Sequence, residues 1–90
     1  MTHNIKILKS FVEPILDCEK TFEIRKNDRG YQRGDYIRFT VLDAPLFESA
    51  TDQALRQAIE HKTYEITYVL NGFGLERDYV AFGIAEVKYL

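Results

Sequence analysis

The chain has 90 residues, of which 46% are hydrophobic and 29% charged, and this balance predicts one small folded domain over residues 1–90. With 12 Lys and Arg against 14 Asp and Glu, the formal charge is −2, which excludes histone-like or polybasic behaviour and requires any nucleic-acid site to be a local basic patch. The single Cys18 cannot form an intramolecular disulfide and the two isolated His residues have no metal-ligand spacing. We therefore expect no metal, no other cofactor and a reducing, cytoplasmic setting.

No apolar run approaches the ~20 residues needed to cross a bilayer, and the polar start lacks a signal-peptide pattern, so no membrane association or targeting is expected.

The N-terminal part predicts a short strand over residues 4–8 and then a short helix. The apolar residues after the strand recur at helical spacing: Phe11, Val12, Ile15 and Leu16. Two helix starts compete. Ser10 and Glu13 match a capping box, but Pro14 would then lie one position too deep, and the alternative is a start at Glu13 with Pro14 in the first turn.

Two half-buried strands are predicted next. In residues 20–26, Phe22 and Ile24 alternate with polar neighbours, which predicts that these two side chains face the core. A connection rich in Gly and charge follows. Residues 36–42 then alternate in the same way, and their inward set is Ile37, Phe39 and Val41.

The second half predicts one helix and three strands. Residues 51–62 form an amphipathic helix, capped by Ser49 and Asp52, with an apolar stripe of Ala54, Leu55, Ala58 and Ile59. Strands are expected at 63–70, 77–84 and 85–90, and the first of them has Tyr64, Ile66, Tyr68 and Leu70 in phase. About six short strands and two single helices predict an α+β fold, a small and mostly antiparallel curled sheet or partly closed barrel, because closure hides the sheet edges.

Residues 18–35 differ from the rest of the chain in charge and turn chemistry. From Cys18 to Arg33 the net charge is +2, against −4 for the remainder, and the basic residues are Lys20, Arg25, Lys26, Arg29 and Arg33. A positive loop on a negative body is expected of a protein that binds an anionic ligand locally, because the surrounding acid suppresses non-specific adhesion. The alternative is a solvated loop in which Asp28 pairs with Arg29 or Arg25.

The run KTFEIRKNDR, from Lys20 to Arg29, followed by Gly34 and Asp35, resembles the DUF3850 family of the ASCH domains, within the PUA-like superfamily. Residues 2–8 and 63–70 are similar to that family as well. Wider ASCH domains share a Gly-x-Lys-x-x-Glu-x-Arg pattern, matched here at Lys20, Glu23 and Arg25, with Cys18 where Gly is usual. That departure bears on the helix-to-strand turn, where Cys is a poorer left-handed residue than Gly.

The resemblance implies a PUA-like β-barrel with two helices and a cleft beside the first helix, proposed in the superfamily to accept RNA or a modified nucleoside. DUF3850 itself has no settled activity. Chemically, Lys20 and Arg25 can hold phosphate or a base carbonyl, and Glu23 can accept from a base amino group. The leading hypothesis is an RNA-binding or nucleotide-binding domain whose site residues are Lys20, Glu23, Arg25, Lys26, Asn27, Arg29, Tyr31 and Arg33.

A structural role for the same motif competes with the binding role. Glu23 would then form a salt bridge to Lys20 or Arg25 and fasten the strand to the helix. In an ideal strand Glu23 and Arg25 share one face and Lys20 falls on the other, so Lys20 joins them only if it lies in the turn before the strand.

Two other classes of function remain as alternatives. Some small ASCH proteins hydrolyse N4-acetylcytidine with a Lys-x-x-Thr pair, but the position three after Lys20 is Glu23, and Thr21 is two residues out of place. A hydrolase of a modified nucleoside would here have to use Lys20 and Glu23 as acid and base, without a nucleophile or metal. A protein-interaction module is the third hypothesis, with a partner on an exposed sheet edge or on the second helix through Asp52 and Glu60.

Periodicity assigns most aromatic residues, including Phe22 and Tyr68, to the core, which leaves Tyr31 in the basic loop and Phe73 in the turn at 71–74 to stack on bases. His3 is expected to be solvent-exposed, with a place in the cleft as the alternative. His61 is expected to interact with the negative end of the second helix. We also expect Cys18 to be a packed thiol, and Gly30 and Gly34 to adopt positive φ in turns.

Overall fold

The computed structural model describes residues 1–88, which form a five-stranded sheet and two α-helices. The sheet has the order β1-β3-β4-β5-β2, in which β1 and β3 are parallel and the other neighbours antiparallel. In chain order the elements are β1 (Thr2–Ile7), a 3₁₀ turn (Lys9–Phe11), α1 (Val12–Leu16), β2 (Phe22–Lys26), β3 (Tyr36–Val41), α2 (Ala50–Glu60), β4 (Tyr64–Asn71) and β5 (Tyr79–Glu86).

The sheet is a half-barrel whose two edge strands approach each other. The guanidinium of Arg25 in β2 donates to the carbonyl of Lys6 in β1 at 2.7 Å, and Arg29 donates to the carbonyl of Asn4 at 2.8 Å. The expected α+β class with a curled, mostly antiparallel sheet is confirmed. The predicted sixth strand is wrong as far as residue 88, because residues 85 and 86 prolong β5; residues 89 and 90 of that prediction lie outside the described residues.

The core fills the concave side of this sheet. The prediction for β3 is confirmed, since Ile37, Phe39 and Val41 are all buried. Opposite them, α1 contributes Val12 and Ile15 to the same apolar cluster. Burial of these side chains supplies the main favourable free energy of folding.

The first helix begins at neither of the expected positions. Ser10 lies in the 3₁₀ turn, and α1 starts after Phe11 without a side-chain cap. Pro14 is the third residue of α1, where its missing N–H is one of the amide groups that have no partner within a helix. Proline is therefore tolerated there although it is not at the first position.

The second helix spans Ala50–Glu60, against a prediction of 51–62, and the predicted interactions at its two ends are confirmed. The hydroxyl of Ser49 accepts from the amide of Asp52 at 3.1 Å, and the ring Nδ1 of His61 contacts the carbonyl of Gln57 at 2.6 Å. Ile59 is fully buried and Leu55 partly, whereas Ala54 and Ala58 are exposed. Among residues 1–88 there is no helix with the length and apolar character needed to span a membrane.

A β-bulge divides β4 into two halves with opposite phase. Ile66 pairs with Ile84, but Tyr68 pairs with Gly83, so Thr67 is the extra residue. Tyr64 and Ile66 are buried as expected. The expectation that Tyr68 belongs to the same face is wrong: the bulge places it outside with 62% exposure and turns Val69 toward the core.

Candidate functional site

The face of strand β2 that was predicted to point outward is the face that packs against the core. Glu23 is 4% exposed, whereas Phe22 and Ile24 are 47% and 51% exposed. The pairing with β5 explains this, because Glu23 lies opposite the buried Phe82 and directly opposed residues share a face of the sheet. The KTFEIRK segment therefore directs its carboxylate inward and its apolar residues outward.

The turn between α1 and β2 positions Lys20. Cys18 has a φ of +60°, the left-handed conformation that the resemblance predicted for this position. The amides of Glu19 and Lys20 both donate to the carbonyl of Pro14, at 2.9 and 3.0 Å, and so fold the chain back against α1. Lys20 precedes β2, as the strand geometry required. The expectation of a packed thiol is wrong, since Cys18 is exposed.

Lys20, Glu23 and Arg25 form a connected ion cluster. The ammonium of Lys20 lies 2.5 Å from Oε1 of Glu23, and Nε of Arg25 lies 2.9 Å from Oε2. Lys20 also donates to the carbonyl of Phe22 at 2.7 Å. Both carboxylate oxygens are thus already bound by cations, so Glu23 orients the two basic side chains and is poorly placed to accept from a base.

Two half-exposed aromatic rings flank the ammonium group. Nζ of Lys20 lies 4.8 Å from the ring centroid of Phe11 and 5.2 Å from that of Phe22, within cation–π distance. Phe11 is 41% exposed. Sequence periodicity had assigned Phe22 to the core and Phe11 to the apolar spacing of the first helix, and the aromatic residues of this site were therefore missed. We call these five residues, Phe11, Lys20, Phe22, Glu23 and Arg25, the Lys20 cluster.

The remaining basic residues of the segment divide into two kinds. Arg25 and Arg29 are held by the carbonyls of β1, whereas Lys26 and Arg33 are exposed and, among residues 1–88, make no side-chain hydrogen bond or ion pair. Asn27 shapes the loop, because its side-chain oxygen accepts from the amide of Tyr31 at 3.1 Å. Lys26 and Arg33 consequently have no side-chain contact within the described residues to lose when a ligand binds.

Tyr31 anchors the loop in the core. The expectation that it is available to stack is wrong: it is 5% exposed, and its ring lies 4.8 Å from that of His3 and 4.7 Å from that of Phe82. Burial raises the pKa of its hydroxyl, with a smaller opposing effect of the Arg29 charge. Phe73, in contrast, is exposed as predicted.

His3 is buried, which contradicts the expectation of an exposed terminal residue. Its Nε2 lies 2.8 Å from Oδ2 of Asp35, the residue that ends the loop. This hydrogen bond lowers the pKa of the Asp35 carboxyl below its ordinary value of 3.8, with a contribution from the amide of Gln32. The loop is therefore fixed at both Tyr31 and Asp35. Its glycines Gly30 and Gly34 adopt positive φ, as predicted.

One groove among the described residues lies away from the basic residues of the segment. It runs between α1 and α2, has a volume of about 640 Å³ and a floor that includes Val12, Val41 and Leu55. Six carboxylates and two cations surround it: Glu13, Asp17, Glu19, Asp43, Glu48, Asp52, Lys9 and Arg56. Lys9 is bound by Asp52 and Arg56 by Glu48. The groove is acidic and offers no site for a phosphate.

The fold and the site define a small α+β domain in which a curled five-stranded sheet presents a cation between two aromatic rings. The model of the domain of unknown function DUF3850 matches residues 2–84, and the chain belongs to that family. No curated protein matches the chain significantly.

Proposed function

We propose that this DUF3850 chain is an ASCH-type, PUA-like domain of the cytoplasm whose Lys20 cluster binds a single-stranded RNA or a nucleotide. Lys20 and its basic neighbours take the phosphate, and the rings of Phe11 and Phe22 take a base. The observation that carries the proposal is the position of the Lys20 ammonium between two half-exposed aromatic rings.

The two parts of this site, rings and cation, suit the two parts of a nucleotide, base and phosphate. A base has a flat face that stacks on aromatic side chains, and stacking is a main mode of single-strand recognition. Its phosphate requires a cation close to the stacked ring, which is where Lys20 lies. The cluster has a net charge of +1, because Glu23 offsets one of its two cations, and Lys26 extends the positive surface along β2.

Glu23 acts in this proposal as a positioning residue. It is buried, and it holds Lys20 and Arg25 on one side of β2 instead of leaving two long side chains to sample many rotamers. Preorganised side chains lose less conformational entropy on binding. The salt bridge and the binding site are thus two consequences of one arrangement.

The hydrolase alternative has less support. Position 23, three after Lys20, carries a carboxylate already bound by two cations, and among residues 1–88 no hydroxyl group hydrogen-bonds Lys20. An acyl transfer would lack its nucleophile.

Fluorescence anisotropy with a labelled single-stranded RNA of mixed sequence tests the proposal. Charge reversal at Arg25 is unsuitable, because it would place a second carboxylate beside Glu23 and remove the contact with β1. Lys26→Glu avoids both problems, and Lys88→Glu is the matched control, an exposed lysine beyond β5. We expect Lys26→Glu to weaken binding about tenfold or more and to reduce the salt slope by about one, while Lys88→Glu leaves both unchanged.

A second variant tests the aromatic part of the site. Phe11→Leu keeps an apolar side chain beside Lys20 and removes the ring, so RNA affinity should fall while the salt slope stays the same. The proposal is wrong if the wild-type domain binds neither RNA nor mononucleotides at about 50 mM salt, or if Lys26→Glu and Lys88→Glu behave alike. Turnover of N4-acetylcytidine that Lys20→Met abolishes would establish the hydrolase instead.

A further inference from the structure

Three strands place Phe22, Gly83 and Tyr68 in one row on the outer face of the sheet. Phe22 in β2 and Tyr68 in β4 are both paired with Gly83 in β5, which lies between them. Directly opposed residues project from the same face. The two aromatic side chains are 47% and 62% exposed, and a glycine separates them.

A hydroxyl group from the neighbouring strand fills the space that a side chain at Gly83 would take. A Cβ added at Gly83 would lie 2.5 Å from Oγ1 of Thr67, the extra residue of the β-bulge. The bulge therefore does two things at once: it moves Tyr68 to the outer face and brings the Thr67 hydroxyl over the bare backbone of Gly83. Thr67 itself is exposed.

The spacing of the two rings suits one flat ligand. Neighbouring strands lie about 4.8 Å apart, which puts the Cα atoms of Phe22 and Tyr68 about 10 Å apart across β5. Side chains on a sheet stand roughly perpendicular to it. A base stacked on both sides needs about 7 Å between the flanking rings, twice the base spacing of about 3.4 Å in nucleic acids. Side chains on the convex face of a curled sheet diverge, so the two rings accommodate one base only when both lean toward Gly83.

Charge continuity argues for a nucleic-acid base as the occupant. The Lys20 ammonium lies 5.2 Å from the centroid of the Phe22 ring, so this row adjoins the Lys20 cluster. Lys26 is on the same face of β2 as Phe22, because the two residues are four apart in a strand. A polar floor with cations on one side matches a base that carries a phosphate, and it differs from the dry apolar centre of a protein interface.

We propose that Phe22, Thr67, Tyr68 and Gly83 form a second base subsite, the Phe22–Tyr68 slot, which takes one unpaired base of a single-stranded RNA. The base lies between the two rings and hydrogen-bonds the Thr67 hydroxyl, while the phosphate that links it to the nucleotide stacked on Phe11 is held at Lys20. This inference rests on the proposed function and deepens it: a base in the slot and a base on Phe11 belong to different nucleotides of one strand. The domain therefore selects an RNA strand over a free nucleotide.

The test compares RNA and mononucleotide binding by variants at Tyr68. Tyr68→Ala should weaken binding of a mixed-sequence single-stranded RNA by about five- to 150-fold, the range that loss of one stacked base produces. Mononucleotide binding at the Lys20 cluster should be unchanged. Phe47→Ala, the matched control at a residue 88% exposed before α2, and Tyr68→Phe, which keeps the ring, should leave RNA affinity unaltered.

Tyr68→Trp gives a direct readout, because the chain has no tryptophan. Its fluorescence should be quenched by RNA and stay unquenched by RNA in which the bases are replaced by abasic sites. All variants are at an exposed position, and far-UV circular dichroism establishes that they are folded.

The outcomes separate the slot from the proposed function. Equal RNA affinity of the wild type and Tyr68→Ala, together with a loss in Lys26→Glu, overturns the slot and leaves the proposed function standing. RNA that binds no more tightly than a mononucleotide also overturns the slot alone. A wild-type domain that binds neither ligand overturns both. Self-association in sedimentation velocity that Tyr68→Ala abolishes, with unchanged RNA affinity, would instead make this face a contact between two copies of the chain.

Discussion

Replacement of Glu23 by Gln should lower stability and raise affinity for an anionic ligand at the same time. The carboxylate makes two charge-assisted contacts, to Lys20 at 2.5 Å and to Arg25 at 2.9 Å. Each such bond contributes about 1.5 to 3 kcal/mol to stability. The side chains of Lys20 and Arg25 are 17% and 26% exposed, so water partly replaces the lost contacts, and the lower value applies. We therefore expect Glu23→Gln to reduce the free energy of unfolding by about 3 kcal/mol.

The variant should nevertheless remain folded. A domain of 90 residues has a stability of about 5 to 13 kcal/mol at the usual values per residue. Urea unfolding followed by far-UV circular dichroism measures the difference. Glu65→Gln is the matched control, an exposed strand carboxylate whose replacement should change stability by less than about 0.5 kcal/mol.

The same substitution raises the charge of the Lys20 cluster from +1 to +2. A unit charge about 6 Å from a phosphate contributes about 1 kcal/mol at an effective dielectric constant of about 50, which corresponds to roughly a fivefold gain in affinity at low salt. Isothermal titration with a mononucleotide measures it. A tenfold loss of affinity in the folded variant would refute the reasoning, because the gain in charge would then be outweighed by the loss of the orientation that Glu23 gives to Lys20 and Arg25. Unchanged stability would refute the assigned strength of the two ion pairs.

Three further predictions concern groups outside the Lys20 cluster. Burial, with a smaller effect of nearby charges, raises the pKa of Tyr64 to about 12, so the neutral phenol is favoured in the folded state and stability should fall by about 2 to 3 kcal/mol as the pH rises from about 10 to about 12. Alkaline urea titrations should show a smaller fall in Tyr64→Phe, in which Tyr31 still has a raised pKa. The hydrogen bond from His3 lowers the pKa of Asp35 below 3.8, so its contribution to stability is complete above that value and is lost as the pH falls through the folded-state pKa. The free energy of unfolding of Asp35→Asn should accordingly fall less steeply than that of the wild type below about pH 4, and equal slopes would contradict the assignment. Cys18→Gly should raise the thermal midpoint, because a φ of +60° costs a residue other than Gly about 1 kcal/mol and Gly adopts it without strain. A lower midpoint would show that the thiol contributes packing.

Local pattern predicted the fold well where one physical effect dominates. The alternation of β3 and the Ser49 cap of α2 are correct because hydrophobic burial and hydrogen bonding to the first amides decide those structures locally. The left-handed turn at Cys18 was predicted from the family resemblance, since no feature of Cys itself favours it.

The prediction for β2 failed because apolar alternation was taken as the only reason for a residue to face inward. Glu23 is buried instead, since Lys20 and Arg25 supply the partners that remove the cost of burying a carboxylate. The motif contained this information: two cations at spacings of three and two around one acid are enough to neutralise it. The outward position of Phe22, and with it the aromatic part of the site, follows from the same inversion.

The bulge at Thr67 has no local signal, because neither glycine nor proline marks it. The bulge is recognised only from the pairing with β5, because Gly83 has no side chain that would clash with Thr67. Tyr31 is a similar case. Its burial depends on His3, which is 28 residues away in the chain and reaches the loop only after β1 has paired with β3.

The topology of the sheet makes some strand pairings less costly in chain entropy than others. The β4–β5 hairpin closes a short loop and is therefore the least costly pairing in chain entropy. The pairing of β1 with β3 closes a longer loop, which contains α1 and the opposite edge strand β2. The bonds from Arg25 and Arg29 to the carbonyls of Lys6 and Asn4 can form only when both edges are in place. They occupy backbone acceptors of an edge strand that would otherwise template pairing with another chain.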